Sequence, residues 1–272
     1  MPFDAPTGLA KRRTRVLING EPNSGKTTSL LTFPSPRVVM NFPGEKGYDT
    51  LPQDDPETMV RVYAPDKLAV KANSAQILAE VEKATVQLLA TLGLQTFCGD
   101  GLHKLMAYAM DAMSGGAYFA GDPTQTASGA NPDVLDPRVF GQAERWLFGY
   151  LNTVMQSPVP YVVFTCWDAD KPERKASKAK GEKWSDIPTH RMPALFGQTS
   201  KSIMGEFSVV VHASKGMIDP KAVPPVKGWR WQTKPDLDVF GCSIKAPQGI
   251  SEKIPKFVPA SWPELSKYLE TK

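Results

Sequence analysis

Hydrophobic positions along this 272-residue chain follow two patterns that alternate from end to end. One is a short apolar run bounded by polar or glycine-rich residues, which is typical of a buried strand. The other is a longer segment with apolar residues at helical spacing, which is typical of an amphipathic helix. The short runs are Arg15–Asn19, Arg37–Asn41, Leu94–Cys98, Tyr161–Thr165 and Phe207–His212. Strands that alternate with helices predict an α/β fold, with a mainly parallel sheet flanked by helices.

The helical pattern is clearest between Ala72 and Leu92, where Ile77, Val81 and Leu88 share one predicted face. Further helices are predicted from Lys26 to about Phe33, after Gly101, from about Val139 to Met155, and before the last strand.

Polar segments and proline content indicate how the chain is organised. Ser114–Pro137 and Asp168–Met192 show no periodicity and are predicted to be long loops. From Lys215 onward the chain is rich in proline, and its clear elements are Trp229–Gln232 and Trp262–Leu269. We therefore predict a basic arm over residues 1–14, a core over 15–214, and a small extension over 215–272 with C-terminal strands and a terminal helix.

Composition narrows the class of protein. The 41% of hydrophobic residues can fill a substantial core, and the net charge of +4 is too small to imply a polyanionic partner by itself. No apolar run approaches the roughly 20 residues that cross a bilayer. Met1–Arg15 is basic and lacks the apolar stretch of a secretion signal. We expect a cytoplasmic protein without a membrane partner.

Cysteine and histidine residues suggest neither a disulfide framework nor a zinc site. Cys98, Cys166 and Cys242 are odd in number, lie far apart and form no CxxC pair. The histidines, which are equally scattered, are interpreted as surface or core residues; they are His103, His190 and His212.

One motif carries specific chemistry. Gly20–Thr27 matches GxxxxGK[ST], with an apolar strand before it and a predicted helix after it. Backbone N–H groups of such a loop, together with the positive end of the helix dipole, bind phosphate oxygens. Lys26 is expected to reach the β- and γ-phosphates, and the Thr27 hydroxyl to ligate Mg²⁺. The predicted nucleotide-binding residues are Gly20, Glu21, Pro22, Asn23, Ser24, Gly25, Lys26, Thr27 and Thr28.

Two carboxylates follow other predicted strands. Asp100 comes after the third run and is the candidate for the Mg²⁺ shell; its alternative role is to cap the helix that follows. Glu45 comes after the second run and is the candidate for orienting or deprotonating water; alternatively, it is a solvated turn residue. A third match, Thr233–Asp236, fits the guanine-selecting [NT]KxD motif, but no buried strand precedes it, so we interpret it as accidental.

Taken together, the order of these parts resembles the RecA-like P-loop ATPases. It is especially similar to short phage-encoded nucleotide-binding proteins related to Sak-type single-strand annealing proteins. The resemblance runs from about Arg15 to Lys245 and is most specific at the phosphate loop. It implies a RecA-like core that uses ATP and Mg²⁺ and assembles into a ring or filament. It also implies that Lys26, Glu45 and Asp100 are catalytic and that Asp100 is associated with magnesium.

The resemblance further implies that the two long loops contact single-stranded DNA. The second loop carries a basic set, namely Lys171, Arg174, Lys175, Lys178, Lys180 and Lys183. Such side chains can neutralise backbone phosphates without regard to sequence, and the flanking Trp167 and Trp184 could stack on bases. The alternative is a solvated surface loop.

The family's sensor position, at the end of the fourth strand, falls on Thr165, where related proteins carry glutamine or histidine. Basic residues that reach a neighbouring subunit's site would come from Arg230, Lys234 and Lys245. The resulting expectation is an ATPase that acts on single-stranded DNA in phage recombination or annealing, with a single-strand-binding protein as a possible partner. The alternatives are an ATPase that loads or switches a partner protein, as helicase loaders do, and a small-molecule kinase.

Overall fold

The computed structural model describes residues 13–52, 55–62, 73–119, 136–172, 189–196, 199–219, 226–236, 239, 241–246 and 248–269. The strands in this part of the chain are β1 Thr14–Gly20, β2 Arg37–Asn41, β3 Thr58–Val62, β4 Thr96–Asp100, β5 Tyr161–Pro172, β6 Thr189–Pro193, β7 Val209–Asp219, β8 Val226–Gln232, β9 Ser243–Ile244 and β10 Phe257–Pro259. The helices are α1 Lys26–Leu30, α2 Ser74–Leu89, α3 Leu102–Met113, α4 Pro137–Gln156, α5 Thr199–Glu206, α6 Gln248–Ser251 and α7 Trp262–Leu269.

Six strands pair in parallel in the order β7-β1-β5-β4-β2-β3. Strands β8 and β10 extend the β7 edge antiparallel, β9 pairs with β7, and β6 pairs with β5. The predicted fold class, a mainly parallel sheet flanked by helices, is confirmed. The predicted boundary at residue 214 falls inside β7, and the strands beyond it continue the same sheet.

Helices cover both faces of the sheet because successive strand residues point in opposite directions. In β1, Leu17 joins the cluster beneath α2, α3 and α4. Its neighbours Val16 and Ile18 join the second cluster, which contains Leu30 of α1 and Leu265 of α7. No helix within these ranges is long and apolar enough to cross a bilayer.

Several predicted elements needed correction. β3 was not predicted, and β4 lies two residues later than the apolar run suggested. α1 ends at Leu30 instead of Phe33. The predicted loop Asp168–Met192 is wrong at both ends, because β5 continues to Pro172 and pairs with β6. That pairing satisfies backbone groups that a sequence pattern cannot assign. Residues 120–135 and 173–188 lie outside the described residues, as do Trp184 and all the basic set except Lys171.

The topology brings the functional segments to one edge. Parallel strands share a carboxyl end, and β5 lies between β1 and β4. Gly20, Asp100 and Thr165 therefore reach the same end of the sheet, together with the segment after β2 that contains Glu45. Crevices at this end are where ligands bind in open α/β sheets.

Candidate nucleotide-binding site

The loop between β1 and α1 adopts a conformation that requires glycine at two positions. A Cβ on Gly20 would overlap the carbonyl oxygen of Ala213 in β7. Gly25 has φ +83° at the N-cap of α1, and a Cβ there would lie 2.6 Å from the Trp229 ring. Both glycines of the motif therefore allow a close approach of neighbouring groups that any other residue would block.

The Lys26 side chain folds over this loop. Its buried ammonium donates hydrogen bonds to the carbonyl oxygens of Gly20, at 2.9 Å, and Glu21, at 2.6 Å. Burial lowers the pKa of Lys26, while the negative charge of Asp100 acts in the opposite direction. The present acceptors are neutral carbonyl oxygens. Phosphate oxygens could take their place, and their negative charge would strengthen the hydrogen bonds from the ammonium.

Asp100 joins the phosphate loop to β5. Its Oδ2 accepts a hydrogen bond from the Thr27 hydroxyl at 2.8 Å, and its Oδ1 accepts one from the Thr165 hydroxyl. Thr165 in turn accepts the Gly101 N–H at 2.9 Å. Burial raises the pKa of Asp100, although both hydroxyl bonds and Lys26 oppose the shift. Asp100 does not cap α3, because Gly101 occupies the N-cap and no side-chain cap bond is made.

Magnesium fits this arrangement. Mg²⁺ prefers oxygen ligands and is commonly held by one or two protein groups together with substrate phosphates. The Thr27 hydroxyl and the Asp100 carboxylate supply such oxygens side by side at the start of α1. Within the described chain, no cluster of three histidine, cysteine or acidic residues offers a competing metal site. The residues present therefore fit a magnesium-bound nucleotide.

Glu45 lies at the same cavity and is not a solvated turn residue. The Glu45 side chain is only 13% exposed. It packs so close to Gly101 that a Cβ on Gly101 would lie 3.1 Å from the Cβ of Glu45. Asn41 fixes the turn, because its Nδ2 donates to the Glu45 carbonyl at 2.8 Å. Burial and, next, the charge of Asp100 raise the pKa of the Glu45 carboxyl. A raised pKa suits a group that must accept a proton near neutral pH.

Three residues that the sequence did not single out for catalysis form a chain of contacts that begins at Glu45. His103 Nε2 lies 3.7 Å from Glu45 Oε2. The Trp167 N–H donates to His103 Nδ1 at 3.3 Å, and the two rings stack with centroids 4.4 Å apart. The Lys104 ammonium lies 4.7 Å from the Trp167 ring centroid. The sequence offered one signal for His103, its position three residues after the strand-end Asp100. That spacing alone does not distinguish a site histidine from a histidine buried in the core.

A cavity of about 660 Å³ lies at the phosphate loop. Its walls include the phosphate loop, Glu45, Asp100 and Thr165, together with Lys215 and Trp229 of the β7–β8 hairpin. The Trp229 side chain is 42% exposed, whereas Trp231, two residues later in β8, is fully buried. The alternation of strand side chains therefore sends one indole into the core and the other into the cavity.

The residues predicted to act across subunits do not line this cavity. Arg230 lies over the Phe257 ring, with its guanidinium carbon 3.9 Å from the centroid. Lys234 donates to the Glu252 carbonyl at 3.2 Å, and Lys245 donates to the Gly205 carbonyl. Their action on a neighbouring subunit stays a prediction. In the Thr233–Asp236 segment, the Thr233 hydroxyl donates to the Pro255 carbonyl at 2.6 Å and the segment lies outside the cavity.

Comparisons with known proteins add little detail. No family model matches the chain, and no curated protein matches it in sequence. Among solved structures it is similar to the assembled ATPase EscN of the type III secretion system of enteropathogenic E. coli, with 15% identity, a TM-score of 0.40, and coverage of 74% of this chain and 43% of EscN. It is also similar to the Legionella pneumophila ATPase DotB, with 10% identity, a TM-score of 0.32, and coverage of 81% and 45%. The chain thus spans less than half of each neighbour. Because both TM-scores are below 0.5, the assignment of a nucleotide-binding site depends on the phosphate loop and the residues around it.

Proposed function

We propose that the protein binds ATP with Mg²⁺ and hydrolyses it in the cytoplasm. The observation that carries the proposal is the Thr27–Asp100 contact at 2.8 Å, at the start of the helix that follows the phosphate loop. It joins the motif's hydroxyl to a carboxylate from a strand two positions away in the sheet. Such a pair is what Mg²⁺ coordination by a P-loop protein requires.

Each residue then has a distinct task. The loop N–H groups and Lys26 bind the β- and γ-phosphates and stabilise the negative charge that develops there. Thr27 and Asp100 hold Mg²⁺, which when bound neutralises charge on the phosphate oxygens. Glu45 orients the attacking water and accepts its proton, and Thr165 keeps the Asp100 carboxylate in place through its own hydroxyl.

The test is Mg²⁺-dependent release of phosphate from ATP by the purified chain. We expect turnover in the wild type and its loss in Lys26→Ala. The circular dichroism spectrum should not change, because the hydrogen bonds of the Lys26 ammonium go to atoms of the loop. Lys83→Ala is the matched control, since that lysine is 65% exposed on α2 and lies outside the cavity. Equal turnover in Lys26→Ala and the wild type would remove the basis of the proposal.

We further propose that the ATPase is a homo-oligomer that acts on single-stranded DNA in phage recombination or annealing. The sequence of the segment after β5 supports DNA binding, because it carries most of the basic set. The contact between Trp167 and His103 supports coupling between DNA binding and hydrolysis. Trp167 lies in β5, which leads into the basic segment, and His103 lies beside Glu45. The test is whether single-stranded DNA stimulates hydrolysis. An unaffected rate, with hydrolysis itself intact, would favour a protein that loads or switches a partner.

A further inference from the structure

His103 is held in one orientation by two independent contacts. Its side chain is only 6% exposed, and its ring is stacked on Trp167. Its Nδ1 accepts the Trp167 N–H at 3.3 Å. A neutral imidazole has one donor and one acceptor nitrogen, so this bond places the ring proton on Nε2. The remaining N–H therefore points out of the stack with a fixed direction.

That N–H faces Glu45. The Nε2 and Oε2 atoms are 3.7 Å apart, and both are buried without a hydrogen-bond partner among the described residues. A buried polar atom without a partner costs free energy, so the two atoms have reason to pair. A shift of about 0.7 Å would bring them to the usual N–H···O distance of about 3.0 Å. A gap of 3.7 Å is too narrow for a bridging water, which would hold its two partners about 4.5 Å apart.

The ring is neutral when it makes this contact. Burial lowers the pKa of His103 well below its ordinary value, and the positive charges of Lys104 and Lys26 lower it further. The interaction with Glu45 is therefore a hydrogen bond from a neutral donor. Such a donor can hold one carboxylate oxygen while the second stays available to a water molecule.

We propose that His103 is a positioning residue for Glu45: its Nε2–H binds one oxygen of the carboxylate and aims the other at the attacking water. The proposal rests on the proposed hydrolysis of ATP and adds to it a residue that acts only through Glu45. Trp167 supports the arrangement from behind, since its backbone fixes the ring tautomer and its indole fixes the ring plane.

The experiment compares His103→Phe with His103→Gln in steady-state ATP hydrolysis and in nucleotide binding. Phenylalanine keeps the stack on Trp167 but cannot donate. We expect kcat to fall about 10- to 100-fold, by analogy with the loss of an outer-shell residue that orients a metal ligand. KM and nucleotide affinity should change less than about twofold, because His103 is not among the residues that line the cavity. Glutamine keeps an N–H donor and should recover most of kcat. Met106→Leu is the matched control for repacking α3, since Met106 is buried one turn further along.

A double-variant cycle separates positioning from a structural role. In a Glu45→Gln background, His103→Phe should cause no further loss of kcat, because the group it positions is already gone. Losses that multiply would overturn the proposal, as would an unchanged kcat in His103→Phe or a parallel loss of nucleotide affinity. If the Phe variant does not fold, His103→Leu takes its place in the same cycle. No turnover in the wild type would instead refute ATP hydrolysis itself, and normal turnover in Glu45→Gln would refute the role of Glu45.

Discussion

Replacing Asp100 by Asn should stabilise the protein and weaken its function at the same time. In the wild type, Oδ2 accepts from Thr27 and Oδ1 accepts from Thr165. An asparagine of the same shape can keep both contacts, with its oxygen accepting from Thr165 and its amide donating to the oxygen of Thr27. The variant therefore removes the buried charge without leaving a polar group unpaired.

The sign of the stability change follows from the pKa. Burial raises the pKa of Asp100, so the folded state binds its proton more tightly than the unfolded state does. The stability that Asp100 contributes therefore falls as the pH rises from its pKa in the unfolded state to its pKa in the folded state. At a pH above both values, the ionised carboxylate destabilises the fold. Single stabilising substitutions commonly add about 0.5–2 kcal/mol to the free energy of unfolding, and we expect a gain within this range. At about 2–4 °C per kcal/mol, the melting temperature without ligand should rise by roughly 1–8 °C.

With ligand present, the wild type should melt at a higher temperature than Asp100→Asn, the reverse of the order without ligand. At 100 times Kd, Mg²⁺ with a non-hydrolysable ATP analogue stabilises the wild type by about 2.7 kcal/mol. If the loss of the carboxylate weakens binding 100-fold, the same concentration adds only about 0.4 kcal/mol to the variant. The assay is thermal unfolding followed by circular dichroism, with and without Mg²⁺ and the analogue. A ligand-free variant that melts below the wild type, or an equal rise with ligand in both proteins, would refute the reasoning.

Three further changes test other parts of the molecule. Glu45→Gln should leave nucleotide binding nearly intact and cut turnover by roughly 10²–10⁴-fold, and a normal rate would move the base elsewhere. Changing Lys175, Lys178 and Lys180 together to Ala should lower the slope of log affinity against log salt for single-stranded DNA by about 0.7 per charge, roughly 2 in all, as measured by fluorescent oligonucleotide titration; equal slopes and affinities would make the segment a solvated surface. Gly99→Ala should lower the free energy of unfolding in urea by about 1–3 kcal/mol, because the new Cβ meets the buried Phe164 ring. The control Gly149→Ala meets no atom within 4 Å and should raise it by about 0.5–1 kcal/mol, and equal effects of the two would contradict the packing.

The phosphate loop and both carboxylates could be predicted because their signals are local. The motif is a run of eight residues, and its flanking strand and helix are contiguous with it. Asp100 ends a fully buried strand and Glu45 follows another, so a parallel sheet brings both to the same edge. Sequence spacing could not show which of their alternative roles holds. The role of Asp100 became clear because Gly101, not Asp100, is the N-cap of α3. The role of Glu45 became clear because its side chain is buried.

The rest of the site depends on contacts between distant segments. His103 and Trp167 are 64 residues apart, and they meet only because β5 pairs beside β4. No periodicity in either segment encodes that pairing. β3 escaped prediction because it is a sheet edge in which Arg61 interrupts the apolar run and Met59 is 43% exposed. β6 is short and polar, and its pairing with β5 makes it a strand.

The position of Trp229 makes the site optically observable. Its indole lines the cavity against Gly25, and Trp167 lies at the same cavity. Indole emission responds to a change from solvent to a charged or stacking neighbour, so filling the cavity should alter the protein's own fluorescence. The buried Trp231 in the same strand would supply a constant background. Occupancy of the site could then be followed in real time with unlabelled protein, and Trp229→Phe would show which indole carries the signal.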